Sequence, residues 1–579
     1  MTRLSYNLAI ALAILLPATL ASAAPSGPPI PVTGVRNYSP TAYHANPQNW
    51  AIVQDDRGIL YFANNSGVLE FDGTYWHLIE LPGKHGATAL GKSSDGRILV
   101  GGEGEVGWLA PDASGTMVYV SKASTQPQDF RASGDRVIQI LDTPKGQYFI
   151  SEHWVLLNAK NGSVTSVPAY DHFMQAAWFH SALYVIDSAL GLTRIDTDTL
   201  QPVAGGGHTR GLAMLVSGAG LLIPSFNDGL VRYSPDEPSP WKTLNPSGWS
   251  IADSAEVTSG IVMASNLMAF GNASHGITLI DADGHILERI GADQGLGDDH
   301  IYNLADDHNG GLWLALDSGV TLVDLKLPKD AGQLPFRAWV RSVVGTRDDR
   351  VLFGGTYFAT QGGIQQLAQD ISQRFKFPFK YNAFRFDYSA NGLQASGDMQ
   401  FQTYMRGVDT DWSKWSTRTE REFTQLSPGV WTFKVRSQKP DGEVSSEGTY
   451  EIYISPAWYD TWWFTVFQVL FVVGLVVLPG HAHHHQGVQE ALTTLAVIVP
   501  FVYLGDWLSD FIGHYYSTDV AFVKTLMDIM LAFALTPLEN LVQKGVEYRN
   551  QKRREQKLKK LESLEAHRKT EEQEHPPVE

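Results

Sequence analysis

The sequence predicts a mainly β protein: a single seven-bladed β-propeller, an immunoglobulin-like β-sandwich, about three transmembrane helices and a short cytoplasmic helix. Three observations predict it. A strand–turn–strand phrase repeats with a period of roughly 40–45 residues, the period of propeller blades. Among 579 residues there are 54 glycines, 29 prolines and 11% aromatics, which favour short strands and tight turns over helix bundles. An uncharged run of 18 residues lies near the carboxyl end.

The first repeat unit, NWAIVQDDRGILYFANNSGVLEFDGTYWHLI, covers residues 49–79. It alternates short apolar runs with turns at Asp56-Arg57-Gly58 and Asn65-Ser66-Gly67, which predicts an antiparallel meander. The first turns of the seven units lie near Gly58, Gly96, Gly146, Ser181, Gly220, Asn266 and Gly311. Seven units of four strands close one ring, so we predict a propeller over residues 41–330. An array of sandwiches is the alternative, but it does not explain so uniform a phrase.

The amino-terminal end reads as a secretory signal over residues 1–23. Arg3 precedes an apolar run from Leu8 to Leu20 and the small tripeptide Ala21-Ser22-Ala23. An uncleaved anchor is the alternative, but the run is only about 13 residues, whereas a span needs roughly 20. We therefore expect cleavage before Ala24, a linker over 24–40 and an exported propeller.

The carboxyl-terminal part reads as a membrane region over residues 458–541. The run from Trp462 to Pro479 follows an aromatic entry, WYDTWWF, and further apolar stretches cover 491–505 and 520–535. A basic stretch over 544–560 then predicts a cytoplasmic tail, 542–579, by the positive-inside rule. An exported propeller with a cytoplasmic tail requires an odd number of spans. We predict a multi-pass protein of the bacterial inner membrane, with the propeller and the sandwich in the periplasm.

Composition excludes several function classes. The absence of cysteine excludes disulfides, thiolate catalysis and Cys-ligated metal sites. A formal charge of −17 argues against a nucleic-acid partner. The motif from Gly102 to Gly107 satisfies G-x-G-x-x-G, but a strand and a turn follow it instead of the helix that a dinucleotide site needs. We interpret it as a propeller turn, and no cofactor is predicted.

Two clusters near the carboxyl end are candidate metal or proton sites. The loop histidines His481, His483, His484 and His485 could bind a transition metal, although a polar loop explains them as well. Asp506, Asp510 and His514 share one helix face at i, i+4 and i+8 inside a predicted span, where carboxylates normally face protein or water. An ordinary ion pair of Asp506 or Asp528 with Lys524 is the alternative for the second cluster.

The repeat phrases resemble the two-component-regulator propeller repeat, most closely at residues 49–71 and 301–323. The segment Phe384–Phe464 resembles the triple-tyrosine domain that follows such propellers, and we predict that domain over residues 331–457. The matching phrases are Tyr404-x-x-Gly407-Val408-Asp409 with Trp412, Leu426-Ser427-Pro428-Gly429, Thr432-Phe433-Lys434-Val435-Arg436 and Pro456-Ala457-Trp458-Tyr459. Phe423 and Trp431 stand where further tyrosines of the family are expected, and these replacements preserve an aromatic core. Alternating strands joined by SPG and KPDG turns predict a β-sandwich.

The resemblance implies a non-enzymatic sensor that binds an extracytoplasmic ligand, with carbohydrate suggested by the resemblance alone. Relatives usually continue into an effector domain, and about 38 residues after Leu541 are too few for one. We therefore expect a separately encoded signalling partner and allow for a homodimer. The tail carries Leu558, Leu561 and Leu564 as its apolar stripe, which suits a lipid-bound helix or a short coiled coil. The alternatives are an envelope scaffold, a sensor that has lost its kinase, and a periplasmic propeller enzyme.

Overall fold

The computed structural model describes residues 30–477, apart from gaps at 197–198, 219, 245–248, 264, 282–284, 309, 327–333, 359–364, 367–374, 395–396 and 459–460, together with residues 544, 547–548 and 551–568. The chain forms two compact units, Met1–Ser455 and Pro456–Glu579.

Seven four-stranded antiparallel sheets make up most of the first unit. The amino-terminal strand is β1 (Val32–Tyr38). Blade one is β2–β5 (Asn49–Gln54, Leu60–Asn64, Gly67–Phe71, Trp76–Ile79), blade two is β6–β9 (Ala87–Lys92, Ile98–Gly102, Val106–Pro111, Met117–Ser121), and blade three is β10–β13 (Val137–Thr143, Gly146–Ser151, Trp154–Ala159, Val164–Pro168). Blade four is β14–β17 (Phe173–Phe179, Ala182–Asp187, Gly191–Asp196, Thr199–Pro202) and blade five is β18–β21 (Leu215–Ser217, Gly220–Ser225, Gly229–Tyr233, Trp241–Leu244). Blade six is β22–β25 (Val257–Val262, Met268–Asn272, Ile277–Ile280, Ile286–Ile290), and blade seven combines β26–β28 (Ile301–Asp306, Gly311–Leu316, Val320–Leu325) with β1.

The blades form a closed ring. The innermost strand of each blade packs beside that of the next, and β26 of blade seven packs beside β2 of blade one. The outermost strand of blade seven is β1, which pairs antiparallel with β28 from Val32 opposite Leu325 to Tyr38 opposite Val320. The linker predicted over 24–40 therefore needs correction, because its second half completes the last blade.

The middle strands of blades one and seven are buried on both faces, because each of these blades is covered by its two neighbours. All residues of β3, β4, β27 and β28 are buried. Such strands read as continuous apolar runs instead of alternating ones, as in LYFAN and GLWLAL. This explains why the turns, more than any alternation, identify the repeats in the sequence.

The second part of the first unit is a sandwich of two four-stranded sheets. One sheet has the order β30-β29-β34-β36 (Arg350–Phe353, Ala338–Gly345, Phe384–Ala390, Glu420–Phe423), and the other β33-β38-β37-β35 (Phe375–Phe377, Gly448–Ile454, Gly429–Gln438, Gln400–Met405). A small hairpin pairs β31 (Tyr357–Phe358) with β32 (Gln365–Gln366).

Aromatic side chains fill the space between the two sheets of the sandwich. Phe386 stacks on Phe433 with ring centroids 4.5 Å apart, and Phe353 lies 4.7 Å from Tyr450. Phe423 meets Phe386 edge to face, and Trp431 packs against the same core. The two replacements of expected tyrosines therefore keep an aromatic core, as predicted.

Within the described residues of the first unit, the α-helices are short: α1 (Pro40–Tyr43), α2 (Gln128–Ser133) and α3 (Ile251–Glu256) lie in connections between strands. The second unit contains α4 (Trp462–Val477) and a helix, α5, over 551–568, on which Leu558, Leu561 and Leu564 are exposed. Among the described residues, no helix combines the length and the apolar character needed to cross a bilayer. The second and third predicted spans lie outside the described residues.

The seam between blades seven and one carries an aromatic cluster that we expect to stabilise the ring. Trp313 is buried and stacks on Tyr38 of β1 at 5.7 Å, with Phe62 and Phe71 at its edges. Trp313→Ala should lower the free energy of unfolding by about 3–5 kcal/mol, the usual cost of emptying a large buried aromatic site. Thermal unfolding of the full-length protein, followed by circular dichroism, measures the shift.

The matched control for this variant is Val118→Ala, at an exposed position of the outermost strand β9. It should change stability by no more than about 0.5 kcal/mol. Equal shifts in the two variants would contradict a special role for the seam.

Candidate functional site

The innermost strands share a local irregularity at the same position. In β2, β6, β10, β14, β22 and β26 the pairing register shifts at the second residue of the strand, which is a β-bulge. A bulge leaves one residue without a partner in the ladder and redirects its side chain. The bulged residues are Trp50, Thr88, Ile138, Met174, Thr258 and Tyr302.

All six bulged residues line one cavity of about 800 Å³. Leu212 of the blade-five connection also lines it, so every blade contributes to its wall. We call this cavity the channel mouth, because it opens where the seven innermost strands begin. Its volume lies within the range of small-molecule pockets, roughly 300–1,000 Å³.

An aromatic sector occupies the part of the channel mouth formed by blades seven and one. The rings of Trp50 and Tyr302 lie 4.8 Å apart, and His300 lies 4.5 Å from Tyr302. The indole N–H of Trp50 donates to Asn65 Oδ1 at 2.7 Å, and Gln48 donates to the hydroxyl of Tyr302 at 3.0 Å. Burial raises the pKa of Tyr302, so its hydroxyl stays protonated at neutral pH.

A charged sector adjoins the aromatic one on blade three. The guanidinium of Arg136 lies 5.1 Å from the ring centroid of Trp50, a cation–π contact. Its Nε and Nη2 both donate to Glu152 Oε1, at 3.0 and 2.7 Å. The channel mouth therefore offers hydrogen-bond donors and acceptors next to flat apolar rings.

Two histidines on the rim are held by carboxylates. His153 Nδ1 lies 2.9 Å from Asp135 Oδ1, and His172 Nδ1 lies 3.0 Å from Asp171 Oδ2. The hydrogen bond with Asp135 raises the pKa of His153. Asp135 is almost fully buried, whereas the His153 ring is mostly exposed, so the carboxylate orients an accessible imidazole.

One buried hydroxyl beside the channel mouth has no partner within the described part of the chain. Ser259 is 6% exposed and lines the cavity, but its Oγ is itself closed off from solvent and makes no hydrogen bond to any described residue. A buried hydroxyl without a partner costs free energy unless water or a ligand satisfies it. The hydroxyl of the neighbouring Thr258 does have a partner, because it donates to the carbonyl of Ile301 in the next blade.

The sandwich contacts blade one at the ends of the strands that lie away from the channel mouth. Arg341 of β29 donates through Nε to Asp72 Oδ2 at 2.9 Å and through Nη2 to Glu70 Oε1 at 2.7 Å. Arg57, in the turn after β2, donates to Thr356 Oγ1 at 2.9 Å. Burial disfavours the charge of Arg341, but the nearby carboxylates outweigh it and raise the pKa of the guanidinium.

A glycine in the same turn allows the close approach of the two domains. Gly58 has φ +89°, a conformation that side chains rarely adopt. A Cβ atom there would lie 2.8 Å from Cβ of Asn391 in the sandwich. The turn that marks the first repeat in the sequence is therefore also a docking surface.

The predicted site residues of the membrane region lie outside the described residues: His481, His483, His484, His485, Asp506, Asp510 and His514. The G-x-G-x-x-G motif spans the end of β7, a turn and the start of β8, as its interpretation as a propeller turn requires. The channel mouth was not predicted. One signal was present, because the two best repeat copies both place an aromatic, Trp50 or Tyr302, second in their first strand.

No protein-family model matches the sequence, and no curated protein matches it. Several solved structures align with it. The extracellular domain of BT4673 from B. thetaiotaomicron, described as a hybrid two-component system, is 12% identical with a TM-score of 0.41, covering 74% of this chain and 60% of that domain. The extracellular domain of BT3049 from the same organism is 10% identical with a TM-score of 0.25, and the alignment covers 70% of this chain and 68% of that domain. BamB from Moraxella catarrhalis is 13% identical with a TM-score of 0.33, and the alignment covers 52% of this chain and 98% of BamB.

The two B. thetaiotaomicron structures are extracellular domains of proteins described as hybrid two-component systems, the class that the repeat phrases resemble. The chain spans 60% of the length of the BT4673 domain. Because the identities and TM-scores are this low, the function is inferred from the contacts of the chain itself.

The buried ion pairs at the interface predict a strong effect of one substitution. Arg341→Met would leave Glu70 and Asp72 buried without their cation, which should cost about 3–5 kcal/mol. The triple variant that adds Glu70→Gln and Asp72→Asn should recover part of that loss, because it removes the uncompensated charges. Thermal unfolding of the full-length variants measures both effects.

The control is Arg36→Gln, which breaks the pair of Arg36 on β1 with Asp398, a carboxylate of the sandwich that is 75% exposed. Exposed pairs contribute about 0–1 kcal/mol, so this variant should unfold close to the wild type. An Arg341→Met protein that is as stable as Arg36→Gln would show that the buried pairs do not hold the interface.

Proposed function

We propose that this chain is a non-enzymatic extracytoplasmic receptor. Its channel mouth binds a small polar ligand, and the sandwich transmits the effect of ligand binding to the second unit. The observation that carries the proposal is the asymmetry of the channel mouth: an aromatic sector and a charged sector lie side by side on one cavity. A purely structural channel would have no need of that combination.

The chemistry of the channel mouth suits a ligand with hydroxyl groups and one apolar face. Trp50 and Tyr302 offer ring faces, Arg136 offers N–H donors and Glu152 offers acceptor oxygens. Carbohydrates combine these features, and carbohydrate is also the ligand class that the resemblance of the repeat phrases implies. We therefore propose an oligosaccharide as the ligand.

Blade one supports the proposed transmission, because it alone among the described blades contributes to both the aromatic sector and the Arg341 contact. Strand β4 starts at Gly67, directly after the turn in which Asn65 holds Trp50, and it ends at Phe71, between Glu70 and Asp72. Five residues of strand span about 17 Å. A ligand that shifts Trp50 could thereby favour one of two arrangements of blade one against the sandwich.

The second unit supplies the proposed anchor and output. Trp462 and Trp463 at the start of α4 are exposed, as interfacial aromatics of a membrane protein are. The charged helix α5 would contact a separately encoded signalling partner or a second copy of the chain. In this proposal the first unit lies in the periplasm of a bacterium.

Binding of full-length protein in detergent to an oligosaccharide array tests the proposed ligand class. We expect wild-type protein to bind a defined set of glycans and Trp50→Ala to lose at least about tenfold in affinity, since removing an aromatic anchor from a binding site typically costs about 2 kcal/mol or more. Titration of the best glycan by calorimetry gives the two dissociation constants.

Trp108→Ala is the matched control, because Trp108 is a half-buried tryptophan of β8 outside the channel mouth. Its affinity for the glycan should equal that of the wild type. Absence of glycan binding by the wild type, or equal losses in both variants, would refute an oligosaccharide site at the channel mouth.

A further inference from the structure

Three side chains on the blade-three rim of the channel mouth form a set of potential metal ligands. Asp135, Glu152 and His153 each place one ligand atom within 4.8 Å of the others. Asp135 precedes β10, whereas Glu152 and His153 form the turn between β11 and β12. Two carboxylates and an imidazole are a donor set that proteins use for divalent transition metals, with further positions left open.

The distance between two of the ligand atoms suits a shared ion. Asp135 Oδ1 and His153 Nδ1 are 2.9 Å apart. Two ligands bound to zinc at about 2.1 Å and at the tetrahedral angle lie roughly 3.4 Å apart. A movement of about half an ångström would therefore let a metal ion replace the proton between Asp135 and His153.

Each carboxylate of the set is oriented by its other contacts. Asp135 Oδ2 accepts from the hydroxyl of Ser151 at 2.5 Å and from the backbone N–H of His153 at 2.8 Å. Glu152 Oε1 accepts from Arg136, which leaves Oε2 for an ion. Metal ligands in proteins are typically fixed by such outer hydrogen bonds.

The ligand set borders the channel mouth. Glu152 and His153 both line that cavity. Open coordination positions of an ion held by the set would therefore be reachable from the cavity.

We propose that Asp135, Glu152 and His153 bind a divalent transition-metal ion whose open positions face the channel mouth and take an oxygen atom of the ligand. This inference rests on the proposed function, since it names how that ligand is anchored. The imidazole favours a transition metal over Ca²⁺ or Mg²⁺, which prefer oxygen donors alone.

Zinc binding to metal-stripped full-length protein in detergent tests the inference by calorimetry. The loop histidines His481, His483, His484 and His485 and the residue His514 are first replaced by glutamine, and Asp506 and Asp510 by asparagine, because both clusters are independent candidate zinc sites. We expect one equivalent of Zn²⁺ to bind in this background. His153→Ala and Glu152→Gln should each weaken the binding by at least about tenfold. Neither substitution removes the buried carboxylate of Asp135, so both variants should fold.

The matched control is His172→Ala, on the same rim. His172 also has its Nδ1 next to a carboxylate, Asp171, but it belongs to no three-ligand set among the described residues. Its zinc affinity should equal that of the background. No zinc binding in the background, an unaltered affinity in His153→Ala, or an equal loss in His172→Ala would each overturn the inference.

The glycan measurement separates this inference from the proposed function. If zinc fails to bind and the glycans still bind in the presence of a chelator, the metal site is refuted and the receptor proposal stands. If zinc binds as expected and no glycan binds, with or without zinc, the metal site stands and the oligosaccharide proposal falls.

Discussion

The closure of the ring by β1 is the constraint on which the rest of the first unit depends. Each blade forms from neighbouring segments of the chain, but β1 pairs with β28, almost 300 residues further along. Contacts so distant in sequence carry a large cost in loop entropy. The buried aromatic cluster around Trp313 offsets that cost at the same seam, since Tyr38 on β1 packs directly against it. The channel mouth needs all seven blades, and so it exists only when this seam is closed.

The interface with the sandwich is of another kind, because it buries charges. Asp55, Arg57, Glu70, Asp72 and Arg341 are all buried there, three acids and two bases. Burying charges is expensive, and an apolar interface is often as stable as an ionic one. The ion pairs fix the orientation of the sandwich against blade one, because Arg341 must reach Glu70 and Asp72 at the same time. Such a defined contact suits a receptor in which a conformational change in one domain must be transmitted to another.

The channel mouth is the region where bulges interrupt the regular pairing of the innermost strands. A bulge interrupts six of the seven innermost strands at their second residue, and the side chains released from the ladder are those that line the cavity. They differ in chemistry from blade to blade: Trp50 and Tyr302 offer ring faces, whereas Thr88 and Thr258 bond to the neighbouring blade. The repeats thus share a β-bulge at this position, and they differ in the side chain of the bulged residue.

The sequence alone determined the features that arise locally. Turns such as Asp56-Arg57-Gly58 recur at blade spacing, so the seven blades could be counted, and the strand after Gly107 excluded a dinucleotide site. The aromatic core of the sandwich was also predictable, since Phe423 and Trp431 replace one ring by another. Features that depend on pairing between distant segments were not predictable. The sequence of β1 suggests a linker, because its partner β28 lies at the other end of the propeller.

Only the tertiary structure decided which residues form the site. Trp50 and Tyr302 hold equivalent places in two repeats, yet their rings meet only because the first and last blades are neighbours in a closed ring. Asp135 and His153 come together because consecutive strands bring two separate turns to one rim, and Arg341 finds Glu70 across about 270 positions of chain. A periodic sequence specifies each blade through short-range turns and burial, whereas a site that several blades share is specified by how they assemble.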